Sequence, residues 1–299
     1  MKSNLMECVP NISNGSDPEL IEYCLDAIRQ NPSLKLIDYS SDSDHNRTVI
    51  TFVGESEALI EGAFELSKRA IQKIDLNFQK GTHPRMGAID VIPFVPLGNT
   101  SIQECIKTSE ILAEKVATHL KLPVYLYALS ARAENRKKLP SIRKGEFEGF
   151  AEKIKLPEWT PDFGPCERHS TAGVVAIGAR EFLVAFNIYL HTPHESIAEQ
   201  IAKNLRESSG GHRFLQAKGM FIAEKGLAQV SMNILDYNKL PIYRVIEMVR
   251  MEAKRFGVAI AESELIGLAP MQALLDTAAY YMQLPSLKPE QIVETKIWE

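Results

Sequence analysis

The sequence has none of the glycine-rich loops that bind nucleotide phosphates. Neither G-x-x-x-x-G-K-[ST] nor a G-x-G-x-x-G that follows a strand occurs in its 299 residues. It therefore contains no evident binding motif for ATP or for a dinucleotide. Metal-ligand spacings are missing as well, because the two histidines of His191-Thr192-Pro193-His194 flank a proline and have no third ligand nearby. We expect no metal ion.

The sequence also has few cysteines, no excess of positive charge and no long apolar run. The four cysteines are far apart, and the first residues lack the apolar run of a signal peptide, so we expect a reduced, cytoplasmic protein. No segment approaches the roughly 18 apolar residues that span a bilayer. With 34 Lys and Arg against 38 Asp and Glu, the chain has no general attraction to nucleic acid or to an anionic membrane. We expect neither as a partner.

The periodicity of the apolar residues predicts an α+β fold. The first hundred residues show the order β-α-β-β-α-β, in which the second helix covers 57–73 and Gly81 marks the end of that helical segment. A helix from Ser101 to Leu120, capped by Thr100 or Ser101, and a strand from Pro123 to Leu129 follow.

The second half repeats that order and ends in one more helix. Its predicted strands are Phe182 to Leu190, Leu215 to Ile222, Ala228 to Leu235 and Val258 to Ile266, and its predicted helices are Ser196 to Arg206, Pro241 to Phe256 and Met271 to Met282. The order β-α-β-β-α-β is that of ferredoxin-like domains. We expect two such subdomains in tandem, 1–179 and 180–299, with a ligand groove between them.

The stretch most suggestive of chemistry is the loop Gly81-Thr82-His83-Pro84-Arg85-Met86-Gly87, between a helix and an apolar strand. Pro84 favours an extended backbone at His83, and Gly87 gives a flexible exit into the strand. An imidazole exchanges protons near neutral pH, and a guanidinium two residues later holds an anion. From these seven residues alone, an ordinary surface His-Pro turn is the alternative.

Four separated strings give this loop a context. They occur in the order Met6 to Ser13, Asp44 to Gly54, Gly81 to Pro96 and Pro161 to Pro165. Together they resemble the formiminotransferase domain of glutamate formimidoyltransferase, the folate enzyme of histidine degradation. The resemblance extends from about Met6 to about Pro285, which is nearly the whole chain.

The resemblance implies transfer of a formimino group from N-formimino-L-glutamate to N5 of tetrahydrofolate, which is a co-substrate. His83 matches the catalytic histidine of the family and would act as general acid and base. The resemblance also implies a homodimer. Some family members carry a second, helical domain that releases ammonia from the product, and 299 residues leave no room for it. A separate cyclodeaminase partner is therefore a hypothesis.

Further residues of the four strings are candidates for the site. Arg47 and Arg85 match family positions, and their guanidinium groups suit the carboxylates of formimino-glutamate or of a folate tail. A carboxylate should orient the histidine, but this chain has Ser40 where the mammalian form of the family has Asp. Asp38, at a predicted strand end, is our choice over Asp42 and Asp44. Asn11 and Gly87 complete this part of the predicted binding set, and a plain Asx turn is the alternative at Asn11.

A basic segment, 131–155, separates the two halves and leads into a proline-rich stretch, 156–165. Its cations attract the glutamate tail of a folate, or they form only a solvated face. In the proline-rich stretch, Trp159 or Phe163 could stack on a pterin or aminobenzoyl ring, and Asp162 could accept hydrogen bonds from pterin nitrogens. Gly164 and Pro165 complete the predicted set, and an ordinary linker is the alternative.

Two other functions fit the same residues. One is formyl exchange between 5-formyltetrahydrofolate and glutamate, because an amidine N–H and a carbonyl oxygen occupy similar space. The other is a folate-binding protein without turnover, which Ser40 favours and the intact His83 motif disfavours.

Overall fold

A computed structural model describes residues 4–298. The chain divides into two compact units, and the boundary follows Arg180. No helix in the described residues is both long enough and apolar enough to cross a bilayer.

The N-terminal unit contains a mixed sheet with helices on both faces. Its strands are β1 Met6–Cys8, β2 Asn11–Ile12, β3 Lys35–Asp42, β4 Arg47–Gly54, β5 Ile89–Pro96, β6 Val124–Ala128 and β7 Val175–Ala179. Its α-helices are α1 Pro18–Arg29, α2 Ser56–Lys73, α3 Ile102–Leu120, α4 Leu139–Arg143 and α5 Glu146–Lys153.

The first two strands occupy one position in the sheet. Both β1 and β2 pair antiparallel with β4 on one side and with β5 on the other. They are interrupted at Pro10, which has no N–H to donate to a ladder, although its carbonyl still accepts a hydrogen bond from Ile50 N at 2.9 Å. Strand β3 pairs with β4 at one edge, and β7 and β6 extend the sheet parallel to β5.

Alternate residues of the strands enter two apolar cores. On one face, Ile92, Leu126 and Ile177 pack with buried residues of α1, α2 and α3. On the other face, Val91 and Tyr125 pack with apolar residues of α4 and α5. The central strands are therefore buried on both sides, as is typical of parallel pairs in a sheet.

The C-terminal unit has a four-stranded antiparallel sheet within its described residues. Its strands, in the spatial order β11-β8-β10-β9, are β8 Val184–Leu190, β9 Leu215–Ile222, β10 Leu227–Ile234 and β11 Ile260–Ile266. Its α-helices are α6 Glu195–Leu205, α7 Ile242–Arg255, α8 Met271–Met282 and α9 Val293–Trp298. The core lies mainly between the sheet and the helices α6 and α7.

The predicted elements agree with the structure in kind, with three differences in the N-terminal unit and one in the C-terminal unit, where α9 follows the helix that was predicted as the last. Helix α3 has the predicted serine cap, because Ser101 and Glu104 form a capping box. The predicted end of the helical segment at Gly81 is wrong, since α2 ends at Lys73 and the chain then bonds to Thr171 O through Leu76 N at 2.9 Å. Strand β7 was not predicted. The basic segment contains the short helices α4 and α5.

Two glycines allow the loop before β5 to approach the segment before β7. A Cβ atom at Gly87 would lie 2.1 Å from Val174 O, and one at Gly173 would lie 2.1 Å from Met86 O. The two glycines form an isolated antiparallel bridge. Gly87 is therefore a point of close backbone contact, whereas the sequence suggested a flexible exit.

Replacing Gly87 by alanine is expected to lower the free energy of unfolding by about 1–3 kcal/mol, because the new methyl group overlaps a backbone carbonyl. Urea denaturation measures the change. The matched control is Gly149→Ala in α5, where no atom lies within 4 Å of the added Cβ and alanine favours the helix by up to about 1 kcal/mol. Equal effects of the two substitutions would contradict the close approach at Gly87.

Candidate active site

The loop that carries His83 is held on two sides. Thr82 N donates to Asp44 O at 3.1 Å, which joins the loop to the turn between β3 and β4. Ser13 Oγ donates to Gly87 O at 2.7 Å, and Ser13 N donates to Ala88 O at 2.9 Å. The segment after β2 and the β3–β4 turn therefore fix the backbone around His83.

Asn46, in the β3–β4 turn, joins three segments at this point. Its backbone has φ 51°, a region that Asn tolerates better than most residues. Its Oδ1 accepts a hydrogen bond from Gly15 N at 2.9 Å, and its Nδ2 donates to Lys80 O at 2.7 Å. Sequence reasoning missed this residue, although an Asn in a polar turn between two strands is a usable signal for positive φ.

A buried ion pair lies behind the loop. Asp90 is 1% exposed, and its Oδ1 accepts a hydrogen bond from Met86 N at 2.8 Å. Its Oδ2 accepts a hydrogen bond from Arg143 Nε at 2.8 Å and lies 2.5 Å from Arg143 Nη2. Asp90 therefore ties the loop to α4. Neither residue was among the predicted site residues.

His83 is 7% exposed and carries no charge at neutral pH. Burial, and after it the nearby charges of Arg143, Arg47 and His45, lowers the pKa of His83 to about 4, against the opposite effect of Asp90. Asp90 is thus the carboxylate whose charge acts on His83. The imidazole can accept a proton at neutral pH, and its protonated form readily gives the proton up.

Arg47, at the first position of β4, has an unsatisfied donor. Its Nε is buried without a hydrogen-bonding partner in the described chain. Burial lowers the pKa of Arg47, as does Arg143, whereas Asp90 and Asp42 act in the opposite direction. The surroundings of His83 hold the guanidinium groups of Arg47 and Arg143 and the single buried carboxylate of Asp90. This part of the molecule therefore has an excess of positive charge.

Arg85 has a different environment. Its Nη1 lies 3.2 Å from Glu146 Oε2 and its Nη2 lies 2.8 Å from Glu148 Oε1, both at the start of α5. Its carbonyl also accepts a hydrogen bond from Phe147 N at 2.8 Å. Arg85 thus connects the His83 loop to α5, although its Nε is buried without a partner in the described residues.

Two predicted residues lie on the strands beside this cluster. Asn11 pairs with Val49 and Val91, is 9% exposed, and donates from Nδ2 to Val9 O at 3.1 Å. Asp38 lies in the edge strand β3 opposite Thr51. The described residues show no hydrogen bond between Asp38 and His83, so its predicted role as the orienting carboxylate stays a prediction.

The proline-rich stretch runs along the opposite edge of the sheet. Val124 N donates to Phe163 O at 2.9 Å, and Asp162 N donates to Val124 O at 2.9 Å, so this stretch lies beside β6. Strands β7 and β6 separate it from β5. At about 4.8 Å per strand, three spacings place it roughly 14 Å across the sheet from β5.

Within this stretch the predicted residues differ in how far their side chains are exposed and free to contact a ligand. The Asp162 side chain is 5% exposed, lies 2.6 Å from Arg136 Nη1 and accepts from Leu126 N at 2.8 Å. Trp159 is partly buried, and its ring lies under Lys153 Nζ, which is 3.8 Å from the ring centroid. Phe163 is also partly buried, whereas Gly164 and Pro165 are exposed. No group of three or more potential metal ligands occurs among residues 4–298.

The titration of His83 should be visible in the stability of the fold. In the unfolded chain the imidazole binds a proton near its ordinary pKa of about 6.5, and in the folded chain only near pH 4. Between these values the unfolded state binds more protons, so the free energy of unfolding falls as the pH falls. We expect His83→Gln to lose less stability than the wild type over this range in urea denaturation. Parallel curves would contradict a neutral buried imidazole.

Comparison with known families covers both units. Residues 5–180 match the N-terminal subdomain of the formiminotransferase domain, and residues 185–297 match the formiminotransferase domain. The match includes the loop, the Arg47 strand and the proline-rich stretch. The resemblance inferred from the four strings is thereby confirmed.

Curated relatives agree with this match. The glutamate formimidoyltransferase of Streptococcus pyogenes serotype M1 is 43% identical over 99% of this chain and 99% of its own length. That of Thermoplasma acidophilum is 43% identical over 98% and 97%. The formimidoyltransferase-cyclodeaminase of Mus musculus is 44% identical, and the match covers 93% of this chain but 52% of the mouse protein. The chain belongs to the formiminotransferase family.

Proposed function

We propose that this chain transfers the formimino group of N-formimino-L-glutamate to N5 of tetrahydrofolate, with His83 moving the protons. The names of the relatives from Streptococcus pyogenes and Thermoplasma acidophilum support this reaction. The observation that carries the proposal is a buried, neutral imidazole beside a guanidinium with an unsatisfied donor. Such a pair suits a proton transfer next to a bound carboxylate.

The reaction consists of an addition and an elimination at one carbon. N5 of tetrahydrofolate forms a bond to the amidine carbon while the π bond between this carbon and its terminal nitrogen opens onto that nitrogen, and the positively charged N5 then loses a proton to His83. The carbon–nitrogen double bond forms again as the bond to the glutamate nitrogen breaks, and the glutamate amine leaves with the proton that His83 returns. Because both substrates are bound together, their mutual position supplies much of the rate.

The surroundings of His83 suit both halves of this cycle. At neutral pH the imidazole is uncharged, so it is ready to accept the proton from N5. The imidazolium that forms is disfavoured by burial and by the guanidinium groups of Arg143 and Arg47. The proton is therefore passed on to the leaving nitrogen, which is the stronger base.

Arg47 is the residue that we assign to a substrate carboxylate. Its buried Nε has no partner in the described chain, and an unsatisfied buried donor is costly unless a ligand completes it. N-formimino-L-glutamate has two carboxylates, and the excess of positive charge around His83 favours an anion there. Asn11, Gly87, Arg85 and Asp38 complete the proposed site around the formimino group.

The proline-rich stretch is assigned to the folate. It lies roughly 14 Å across the sheet from β5, which suits the aminobenzoyl-glutamate part of a tetrahydrofolate whose pterin lies near His83. The partly exposed rings of Trp159 and Phe163 offer stacking surfaces, and Gly164 and Pro165 flank them. Asp162, which is held by Arg136, keeps this stretch in place.

The proposal also includes the fold of the two units, the cellular location of the protein and its partners. The strand orders β3-β4-β1/β2-β5 and β9-β10-β8-β11 support a ferredoxin-like arrangement in each unit, with 1–179 and 180–299 as the two subdomains. The name of the formimidoyltransferase-cyclodeaminase of Mus musculus, of which the match covers 52%, supports a cyclodeaminase as a partner in this reaction. The charge and cysteine content support a cytoplasmic protein, and the family resemblance supports a homodimer.

The first test of this function measures methenyltetrahydrofolate. Purified protein is mixed with tetrahydrofolate and N-formimino-L-glutamate, the mixture is acidified, and the absorbance of the methenyl product is recorded. We expect product from the wild type and a rate lower by about 100-fold or more for His83→Gln, since general acid–base catalysis contributes on that scale.

Three outcomes would contradict parts of this assignment. Equal rates for the wild type and His83→Gln would exclude His83 as the proton carrier. Absence of product from the wild type, combined with product from 5-formyltetrahydrofolate and glutamate, would replace formimino transfer by formyl exchange. Binding of tetrahydrofolate without either product would indicate a binding protein.

Replacing Arg47 should affect the amino-acid substrate selectively. We expect Arg47→Gln to raise the KM for N-formimino-L-glutamate by about 10- to 100-fold, because a charge-assisted hydrogen bond is lost, and to change the KM for tetrahydrofolate less. Steady-state kinetics with each substrate varied measures both constants. Arg85→Gln is the comparison, since Glu146 and Glu148 already hold that guanidinium. A larger effect at Arg85 would reverse the assignment.

A further inference from the structure

The pair Asp90 and Arg143 is a buried ion pair to which the proposed reaction assigns no substrate. Asp90 follows the His83 loop by only a few residues, whereas Arg143 belongs to α4, 53 positions later. The Arg143 side chain is 15% exposed. Its Nε donates to one oxygen of Asp90, which also lies 2.5 Å from Nη2, and the other oxygen accepts from Met86 N. These side-chain contacts connect α4 to the backbone of the loop.

We propose that Asp90 and Arg143 are positioning residues for His83: Asp90 fixes the backbone of the loop at Met86, and Arg143 fixes Asp90 while placing a positive charge beside the imidazole. This inference rests on the proposed function for its catalytic meaning. Its physical content rests on the hydrogen bonds that join Met86, Asp90 and Arg143, and its test needs no substrate.

The charges around His83 come from four parts of the unit. They are Arg143 on α4, Asp90 on β5, Arg47 on β4 and His45 in the β3–β4 turn. After burial, Arg143 has the largest effect and lowers the pKa of His83, while Asp90 raises it. The two members of one ion pair therefore act on the imidazole in opposite directions.

Because the two charges act on His83 in opposite directions, their removal distinguishes a role in positioning His83 from a purely structural role. If the ion pair only stabilised the fold, loss of either partner would disturb the site in the same way, because the same bonds are broken. If the charges control His83, removal of Arg143 favours the imidazolium and removal of Asp90 disfavours it. A single measurement on two variants thus distinguishes the two roles.

The experiment is a pH titration of the imidazole signals by NMR on the full chain. The His83 signal is assigned by its loss in His83→Gln. At the pH where His83 of the wild type is half protonated, we expect Arg143→Gln to be mostly protonated and Asp90→Asn to be mostly neutral. The two midpoints should move in opposite directions, that of Arg143→Gln upward by about one pH unit and that of Asp90→Asn downward by less.

Two further variants and one control keep the test decisive if a lone buried charge prevents folding. The double variant Asp90→Asn with Arg143→Gln leaves no unpaired charge, and its midpoint should lie above that of the wild type, because Arg143 has the larger effect. Arg143→Lys keeps the charge and should leave the midpoint near that of the wild type. Arg136→Gln breaks the buried pair with Asp162 and should not move the midpoint.

The outcomes that overturn the inference are specific. Shifts of Arg143→Gln and Asp90→Asn in the same direction, or no shift in either, would leave the pair a structural ion pair only. A double variant with an unchanged midpoint would do the same. Because the titration needs no substrate, a failure of the proposed reaction in the absorbance assay would leave this result intact, and the reverse also holds.

Discussion

The site depends on the burial of one carboxylate. Asp90 is 1% exposed, and a carboxylate removed from water needs a hydrogen-bonding and charged partner on nearly every lone pair. Met86 N and Arg143 meet that need. These bonds hold the loop against the sheet and hold α4 next to the loop. Removing one partner would leave the other charge buried alone, which is strongly unfavourable, so the two segments are held together.

The same arrangement explains why His83 is neutral. The loop is anchored by Asp90 on one side and by the β3–β4 turn on the other, through Thr82 and Asn46. An imidazole on a loop held at both ends is buried, and burial is the main cause of its lowered pKa. The protonation state of the residue therefore follows from the packing of the backbone around it, with the charges of Arg143 and Arg47 as further contributions.

Local periodicity in the sequence was sufficient for most of the fold. The helix α2 and the strand β9 were predicted close to their observed bounds, because each has one apolar face with a clear period. Strand β7, Val175–Ala179, is a short run buried on both faces and shows no alternation. Gly81 was wrong as the end of the helical segment, because the chain leaves the helix after Lys73 and Leu76 N bonds to Thr171 O, which is far away in sequence.

The sequence is a weaker guide to the site than to the fold, since the three arginines near His83 differ only in the partners that they meet in the folded unit. The motif suggested Arg47 and Arg85 as equivalent anion ligands, and both have a buried Nε without a partner in the described residues. They differ because Glu146 and Glu148 hold the terminal nitrogens of Arg85. Arg143 had no local signal beyond a basic segment, although it acts on His83. A guanidinium is available to a substrate only when no carboxylate of the chain already occupies it. Partners that lie 53 to 63 positions away decide this, so the role of each arginine is a property of the folded unit.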